Sequence, residues 1–334
     1  MKSMKSLIFT KNTGLKLTEI DEAEFQKFCE TKENSKKVVV EVHYSGINYK
    51  DALGACGAAP IFKSDPIIPG IDMAGVALTG THKGHQVIAQ ACNLGEVYDG
   101  GYTQKALVDE SLLIPMPEGL TPKESMVLGT AGLTAALAFY RMEKNGQTPD
   151  KGPILVSGAT GGVGGFATQI FSQMGYEVNV VTHRKGFEDH LKKLGAKKIF
   201  LYEELFTKKK PKPLEAVKWG GVIDNLGAGF LESVLPQVEL WGNVCSIGLA
   251  KGASFNTTVM PFILRGVSLL GISSNNCTMD VRKDLWGRLG SDLKPNSLLD
   301  SVSLEVKLEG VLKASEDILG HKSSGRVLVD VKSS

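Results

Sequence analysis

Clustered cysteine is missing from this 334-residue chain. Its five cysteines, Cys29, Cys56, Cys92, Cys245 and Cys277, stand alone, and no two share CxxC spacing. Neither a zinc ribbon nor a thioredoxin-type dithiol is therefore offered. An odd, scattered set fits reduced thiols in a cytoplasmic protein. Long apolar runs are missing too. Leu7-Ile8-Phe9, behind Lys2 and Lys5, is too short for the core of a signal peptide, and no window is long enough to cross a bilayer, so no membrane partner is expected. Nor is there an excess of charge: 38 basic and 36 acidic residues leave a formal net charge of +2, which gives no reason to expect nucleic acid as a partner. The one basic cluster, Lys208-Lys209-Lys210-Pro211-Lys212, has the look of a polyanion patch but reads as a solvated loop.

What the chain does have is a glycine turn between a strand and a helix. Residues 154–156 form a short apolar run of the kind buried on both faces of a sheet. Ala159, Gly161 and Gly164 follow at the spacing of the dinucleotide fingerprint, with Ala in the first glycine's place. The apolar period then turns helical through Val163, Phe166, Ala167, Ile170, Phe171 and Met174. A side chain at Gly161 would block the approach of a pyrophosphate to backbone N–H groups, and Gly164 lets the helix lie against the strand. The helix N-terminus adds unpaired N–H donors and a partial positive charge.

One further absence bears on the cofactor. A second strand over 176–181 runs into Thr182-His183-Arg184-Lys185. An NAD-binding chain carries Asp or Glu here, about twenty residues past the glycines, to hold the ribose 2′-hydroxyl. His183 stands at that point, and no carboxylate appears before Glu188. A cationic edge beside a hydroxyl suits a 2′-phosphate, with the planar fork of Arg184 as its partner, so NADP(H) is expected.

At this length two domains are expected. Residues 1–123 are rich in short strands broken by Pro and Gly, at 38–44, 72–76, 85–90 and 101–108, and imply a compact β barrel-like domain. Pro122 opens helical pattern that reaches Lys144. Strands at 154–156, 176–181, 198–201, 222–224, 244–247 and 267–272 then alternate with helices, including 187–194 and 230–240, the latter with a kink or restart at Pro236. The fold class is thus α/β, a six-stranded doubly wound parallel (Rossmann) sheet over 124–295 beside a β-rich domain built from 1–123 and 296–334. A helix over 279–293 closes the first of these, and a terminal strand at 326–331 rejoins the second.

These motifs together resemble the medium-chain dehydrogenase/reductase superfamily. Asn48-Tyr49-Lys50-Asp51-Ala52-Leu53, Ile68-Pro69-Gly70-Ile71-Asp72-Met73-Ala74-Gly75 and Thr257-Thr258-Val259-Met260-Pro261-Phe262-Ile263-Leu264-Arg265 narrow the likeness to the YhdH/YhfP-type quinone oxidoreductases, the group that includes acrylyl-CoA reductase. Gly129-Thr130-Ala131-Gly132 agrees. The resemblance implies a GroES-like catalytic domain and an NADPH-dependent reductase that adds hydride to activated double bonds without zinc: alcohol dehydrogenases of the superfamily carry Gly-His-Glu where this chain has Gly70-Ile71-Asp72, and a ligating cysteine near the position of Asn48. It places Thr160, Gly161, Gly162 and Val163 at the pyrophosphate and Thr182, His183 and Arg184 at the 2′-phosphate. Asn225, after the strand-ending Asp224, is expected in the crevice beside the cofactor, Ser246, Ile247, Gly248, Ile272 and Ser273 are expected to flank the nicotinamide, and Arg326 is expected to reach a phosphate. The superfamily's habit of pairing edge strands through 267–272 implies a homodimer. Ser273 stands where the family usually has aspartate, and 75–87 is short, which leaves the substrate class open.

Hydride addition to an enone or enoyl thioester places negative charge on the carbonyl oxygen, and the α-carbon then needs a proton. Asn48 offers an amide donor and Tyr49 a phenol, while Asp51 and Asp72 are suited to orienting donors or a water. The resemblance also places Tyr49 beside the nicotinamide, where it would position the cofactor rather than act as the acid. The expected small-molecule substrate is an α,β-unsaturated acyl-CoA of the acrylyl-CoA type. Quinones or free enones, and an NADPH-binding crystallin-like protein without turnover, are the alternatives. Lys63 and Arg265 are candidates for CoA phosphates.

Overall fold

The computed structural model describes residues 3–30, 36–206 and 211–334, so Lys208, Lys209 and Lys210 of the basic cluster lie outside the described residues. Two compact units divide the chain. One takes the residues up to Thr130 together with Asn275–Gly290 and Leu298–Ser334, and the other takes Ala131–Ser274 with Ser291–Ser297. Sequence pattern had put these divisions at 123/124 and 295/296. The helix Met279–Leu289 goes with the first unit, where the Trp286 indole N–H donates to Gln90 Oε1 at 3.0 Å.

The first unit is built on a seven-stranded sheet. Its path runs Val302–Val306, Arg326–Asp330, Lys37–Ile47, Asp72–Ala77, Gln86–Gln90 and Ile114–Pro115, with Lys105–Asp109 paired to Lys37–Ile47. Lys37–Ile47 alternates as a half-buried strand must, with Val38, Val40 and Val42 in the core between more exposed neighbours. The terminal strand Arg326–Asp330 pairs antiparallel with it, Val327 opposite Ile47. That register carries Arg326 to the end of Lys37–Ile47 where Asn48 begins the next helix. The strand expected over 101–108 starts only at Lys105, because Gly100, Gly101 and Tyr102 bond to the backbone of 68–70 instead.

The second unit is a six-stranded parallel sheet in the order Lys198–Leu201, Val178–Thr182, Ile154–Ser157, Trp219–Asp224, Val238–Ser246, Ser268–Gly271. The three central strands are buried at every residue, as a parallel sheet covered on both faces requires. Strand order reverses between Ile154–Ser157 and Trp219–Asp224, the crevice position where such sheets bind ligands. The helix expected over 230–240 is shorter. It spans Gly229–Val234, gives way to a single 3₁₀ turn at Leu235–Gln237, and Val238–Ser246 is already strand. Pro236 has no N–H to continue the ladder, and the apolar residues beyond it enter the sheet. Similarly, Met279–Leu289 stops at Gly290 rather than at 293.

Candidate active site and dinucleotide cradle

In the first unit, Asn48 precedes the short helix Tyr49–Ala55, and three charged side chains, two of them distant in sequence, converge on its buried side chain. Its amide nitrogen donates to Asp51 Oδ2 at 3.2 Å and to Asp72 Oδ2 at 2.8 Å, while its Oδ1 accepts from Arg326 Nη1 at 3.0 Å. Arginine only donates and a carboxylate only accepts, so the orientation of the amide is fixed. Asp51 also accepts the backbone N–H groups of Asn48 (3.0 Å) and Ile71 (3.1 Å). Asp72 accepts both the N–H (2.9 Å) and the hydroxyl of Thr130. Thr130 reaches it because the helix Pro122–Lys144 breaks at Gly129, whose φ is 49°. A Cβ there would lie 2.6 Å from Asp72 Oδ2 and 2.8 Å from Arg326 Nη2, so glycine is required by space as well as by dihedral.

Burial dominates the electrostatics. Desolvation, with the neighbouring Asp72 charge second, raises Asp51 to about 7 against the opposing hydrogen bonds. Burial likewise lifts Tyr102, whose hydroxyl donates to the Gly46 carbonyl at 3.2 Å, and lowers Arg326, with Asp72 acting in the opposite direction.

Two expectations are corrected here. Arg326 does not reach out to a phosphate: it is buried, and its guanidinium donates to Val127 O (2.9 Å), Ile47 O (3.5 Å), Met126 O (3.5 Å) and Asn48 Oδ1, with Asp72 Oδ2 at 3.8 Å. Asn48 does not offer a free amide donor either, since both of its N–H bonds point at carboxylates. Tyr49 differs from both. It is 52% exposed, and its phenol makes no hydrogen bond among the described residues. Sequence reasoning also missed Gln90, which donates to Thr130 Oγ1 at 3.1 Å and accepts from Trp286 and, through its carbonyl, from the buried Arg282 at 3.3 Å. Only the pairing of strand and helix brings these together. His43 pairs with Glu41 at 2.9 Å, and among the described residues no group of three or more His, Cys, Asp or Glu is assembled to hold a metal ion.

In the second unit, the expected cofactor residues gather at the carboxyl ends of the parallel strands. Gly161 is the N-cap of the helix Gly162–Gln173, and the first intrahelical bond runs from Gly165 N–H to Gly161 O at 2.9 Å. The amides of Gly162, Val163 and Gly164 come before it and have no intrahelical acceptor. A Cβ on Gly164 would meet Gly158 O at 2.4 Å, which is how closely the helix lies on the turn. Ala159 and Thr160 are buried in that turn. Asp224 accepts the N–H groups of Leu226 (2.8 Å) and Gly227 (3.0 Å), and Asn225 donates from its side chain to Ser157 O at 2.7 Å. Ile247 and Gly248 donate their N–H groups to Asp224 O, and Ile272 donates to Ser246 O, so the ends of adjacent strands are stitched together up to Ser273.

At the end of Val178–Thr182, Thr182 Oγ1 accepts the Arg184 N–H at 3.0 Å, and the Arg184 guanidinium lies 4.6 Å from the Phe187 ring centroid. His183 stacks on Tyr202 at 4.3 Å. Arg265 is engaged elsewhere, donating to the carbonyls of Glu215, Pro236 and Val238, which removes it as a CoA-phosphate contact. Lys63 is exposed.

Comparison with known proteins fits this geometry. The Alcohol dehydrogenase GroES-like domain model matches residues 34–118 and the Zinc-binding dehydrogenase model matches 162–289. The putative quinone oxidoreductase YhfP of Bacillus subtilis is 44% identical over 87% of this chain and 89% of its own length. The chain belongs to the medium-chain dehydrogenase/reductase superfamily, in its YhdH/YhfP branch. Among other members of that branch, the acrylyl-CoA reductase AcuI of Ruegeria pomeroyi is 41% identical over 88% of this chain and 90% of its own. The crystal structure of Bacillus subtilis yhfP with NAD bound superposes with a TM-score of 0.91 at 40% identity, covering 99% of this chain and 100% of that one. The yhdH oxidoreductase from Salmonella enterica in complex with NADP gives 0.90 at 35%, covering 98% and 99%. This member of the superfamily therefore has solved relatives with each of the two nicotinamide nucleotides.

Proposed function

We propose that the chain is an NADP(H)-dependent oxidoreductase that adds hydride to an activated carbon–carbon double bond, most readily that of an α,β-unsaturated acyl-CoA. The observation that carries the reading is the cradle in the second unit: three helix-start amides without intrahelical acceptors, followed by Thr182, His183 and Arg184 at the next strand end. This donor set fits a pyrophosphate and a 2′-phosphate. When bound, the nucleotide supplies the hydride. Gly162, Val163 and Gly164 would hold its pyrophosphate and Arg184 its 2′-phosphate.

On the substrate side, Tyr49 is the candidate whose donor is not already engaged among the described residues. It is assigned the developing negative charge on the carbonyl oxygen, or the proton for the α-carbon. Asn48, Asp51, Asp72 and Arg326 then form the rigid floor that fixes the start of its helix. Replacing Tyr49 by Phe is expected to lower kcat/KM by about 10²-fold, with nucleotide affinity changed far less. A Tyr49→Phe enzyme with wild-type kcat/KM removes Tyr49 from the chemistry.

The second reading, reduction of quinones, is favoured by the name of the 44%-identical Bacillus subtilis relative. Steady-state assays with acrylyl-CoA and a simple quinone separate the two. The acyl-CoA reading expects the higher kcat/KM with acrylyl-CoA, and the reverse order gives the quinone reading. Tight nucleotide binding without turnover on either would instead mark a binding protein. The five free cysteines suit action in the cytoplasm, and no helix of the described residues is long and apolar enough to cross a membrane. A second copy of the chain is the proposed partner, through the edge strand Ser268–Gly271.

A further inference from the structure

The end of Val178–Thr182 lacks an acid in sequence but not in space. Glu203 lies twenty residues beyond His183, at the start of the helix Tyr202–Leu205 that follows the neighbouring strand, and its Oε1 is 3.0 Å from His183 Nδ1. The histidine ring is held from the other side by stacking on Tyr202, so its position relative to Glu203 is set by two contacts rather than one. The Lys251 ammonium sits 4.6 Å from the centroid of the same Tyr202 ring. The Glu203 backbone N–H and His183 lower the pKa of the Glu203 carboxyl, which keeps it charged at neutral pH. Its side chain is 70% exposed, so it remains open to a ligand.

We infer that Glu203 is a coenzyme-selecting residue: it returns to this strand end the carboxylate that a 2′-hydroxyl prefers and a 2′-phosphate opposes, so that the chain binds both NAD and NADP. The inference rests on the dinucleotide reading above. Arg184 favours the phosphate as a bidentate donor, while Glu203 stands beside the same point with the opposite sign. A carboxylate accepts from a ribose hydroxyl but repels a phosphate dianion, and its removal therefore moves the two affinities in opposite directions.

The test is direct binding of NADP⁺ and NAD⁺, by calorimetry or quenching of tryptophan fluorescence, to the wild-type chain, Glu203→Gln and Arg184→Gln. Glu203→Gln is expected to tighten NADP⁺ about five-fold and to weaken NAD⁺ about two-fold, a combined shift of about ten-fold that shrinks as salt is raised. Arg184→Gln is expected to weaken NADP⁺ alone. An unchanged ratio of dissociation constants in Glu203→Gln, or weaker NADP⁺ binding there, overturns the inference while leaving the dinucleotide reading intact. A wild-type chain that binds neither nucleotide overturns the dinucleotide reading itself, and the assignment of Glu203 with it.

Discussion

At the scale of single residues, the polar cluster around Asn48 is a trade between desolvation and hydrogen bonding. Asp51 has its acceptors satisfied by two backbone N–H groups and an amide, yet burial and Asp72 still hold it near 7. A carboxyl raised on folding binds its proton more tightly in the native state. Its stabilising contribution is complete below the unfolded value of 3.8 and is lost as pH rises through about 7. Urea unfolding at pH 5 and pH 8 is expected to show this loss, on the order of a few kcal/mol. In Asp51→Asn that slope is expected to be absent, above a constant cost of about 1–3 kcal/mol because an amide N–H must then face a backbone N–H. An unchanged slope in the variant would remove Asp51 as its source. Arg326 makes the complementary case. Arg326→Met strips the partner from Asn48 Oδ1 and from Asp72 in a site closed to water, and a loss of about 3–5 kcal/mol in unfolding free energy is expected. A Lys variant recovers only part of it, since one ammonium cannot span acceptors as widely separated as the Val127 carbonyl and Asn48.

At the scale of elements, two helix glycines that look alike in sequence make opposite demands. Gly164 lies where a Cβ would stand 2.4 Å from Gly158 O and 2.8 Å from the Ala159 Cα, all backbone that cannot turn aside. Gly287, in the exposed face of Met279–Leu289, would place a Cβ in open space. Gly164→Ala is expected to push the helix from the turn and weaken nucleotide binding at least ten-fold in a titration. Gly287→Ala is expected to raise unfolding stability by about 0.5–1 kcal/mol, through helix propensity and a less flexible unfolded chain. The fingerprint made the first distinction readable, because its spacing ties each glycine to a task. The central strands were readable too, because burial on both faces leaves unbroken apolar runs such as 154–156. Residues 230–240 misled because apolar spacing runs without a break across Pro236, and only the missing N–H there separates helix from strand. The Asn48 cluster was readable as polar residues in an apolar setting. Its donors were not: Arg326 arrives through a strand register 278 residues away, and Glu203 through the adjacency of two parallel strands.

For the molecule as a whole, the second unit leaves more apolar surface exposed than a solitary protein needs. Trp241 is 68% exposed and Ile263 70%, and Leu240, Val259, Leu264 and Leu269 are also exposed. Leu269 belongs to Ser268–Gly271, the outermost strand of the parallel sheet, whose outer edge carries backbone donors and acceptors with no partner strand beyond it among the described residues. The adjoining residues are linked: Trp241 packs over Gly266, the cap of the helix Met260–Arg265 that carries Ile263 and Leu264. An open edge flanked by large apolar side chains is the arrangement that two copies satisfy at once, by pairing edges about a two-fold axis and burying the flanking side chains. The wild-type chain is therefore expected to be a dimer at micromolar concentration by light scattering coupled to size-exclusion chromatography. Ile263→Asp introduces a charge that the exposed monomer tolerates, but that a two-fold interface would bury twice without a counter-charge. It is expected to yield monomer with an unchanged circular dichroism spectrum and intact NADP⁺ binding. If the wild-type chain is monomeric at tens of micromolar, or if the variant remains dimeric, the edge is not the contact, and the exposed side chains need another explanation.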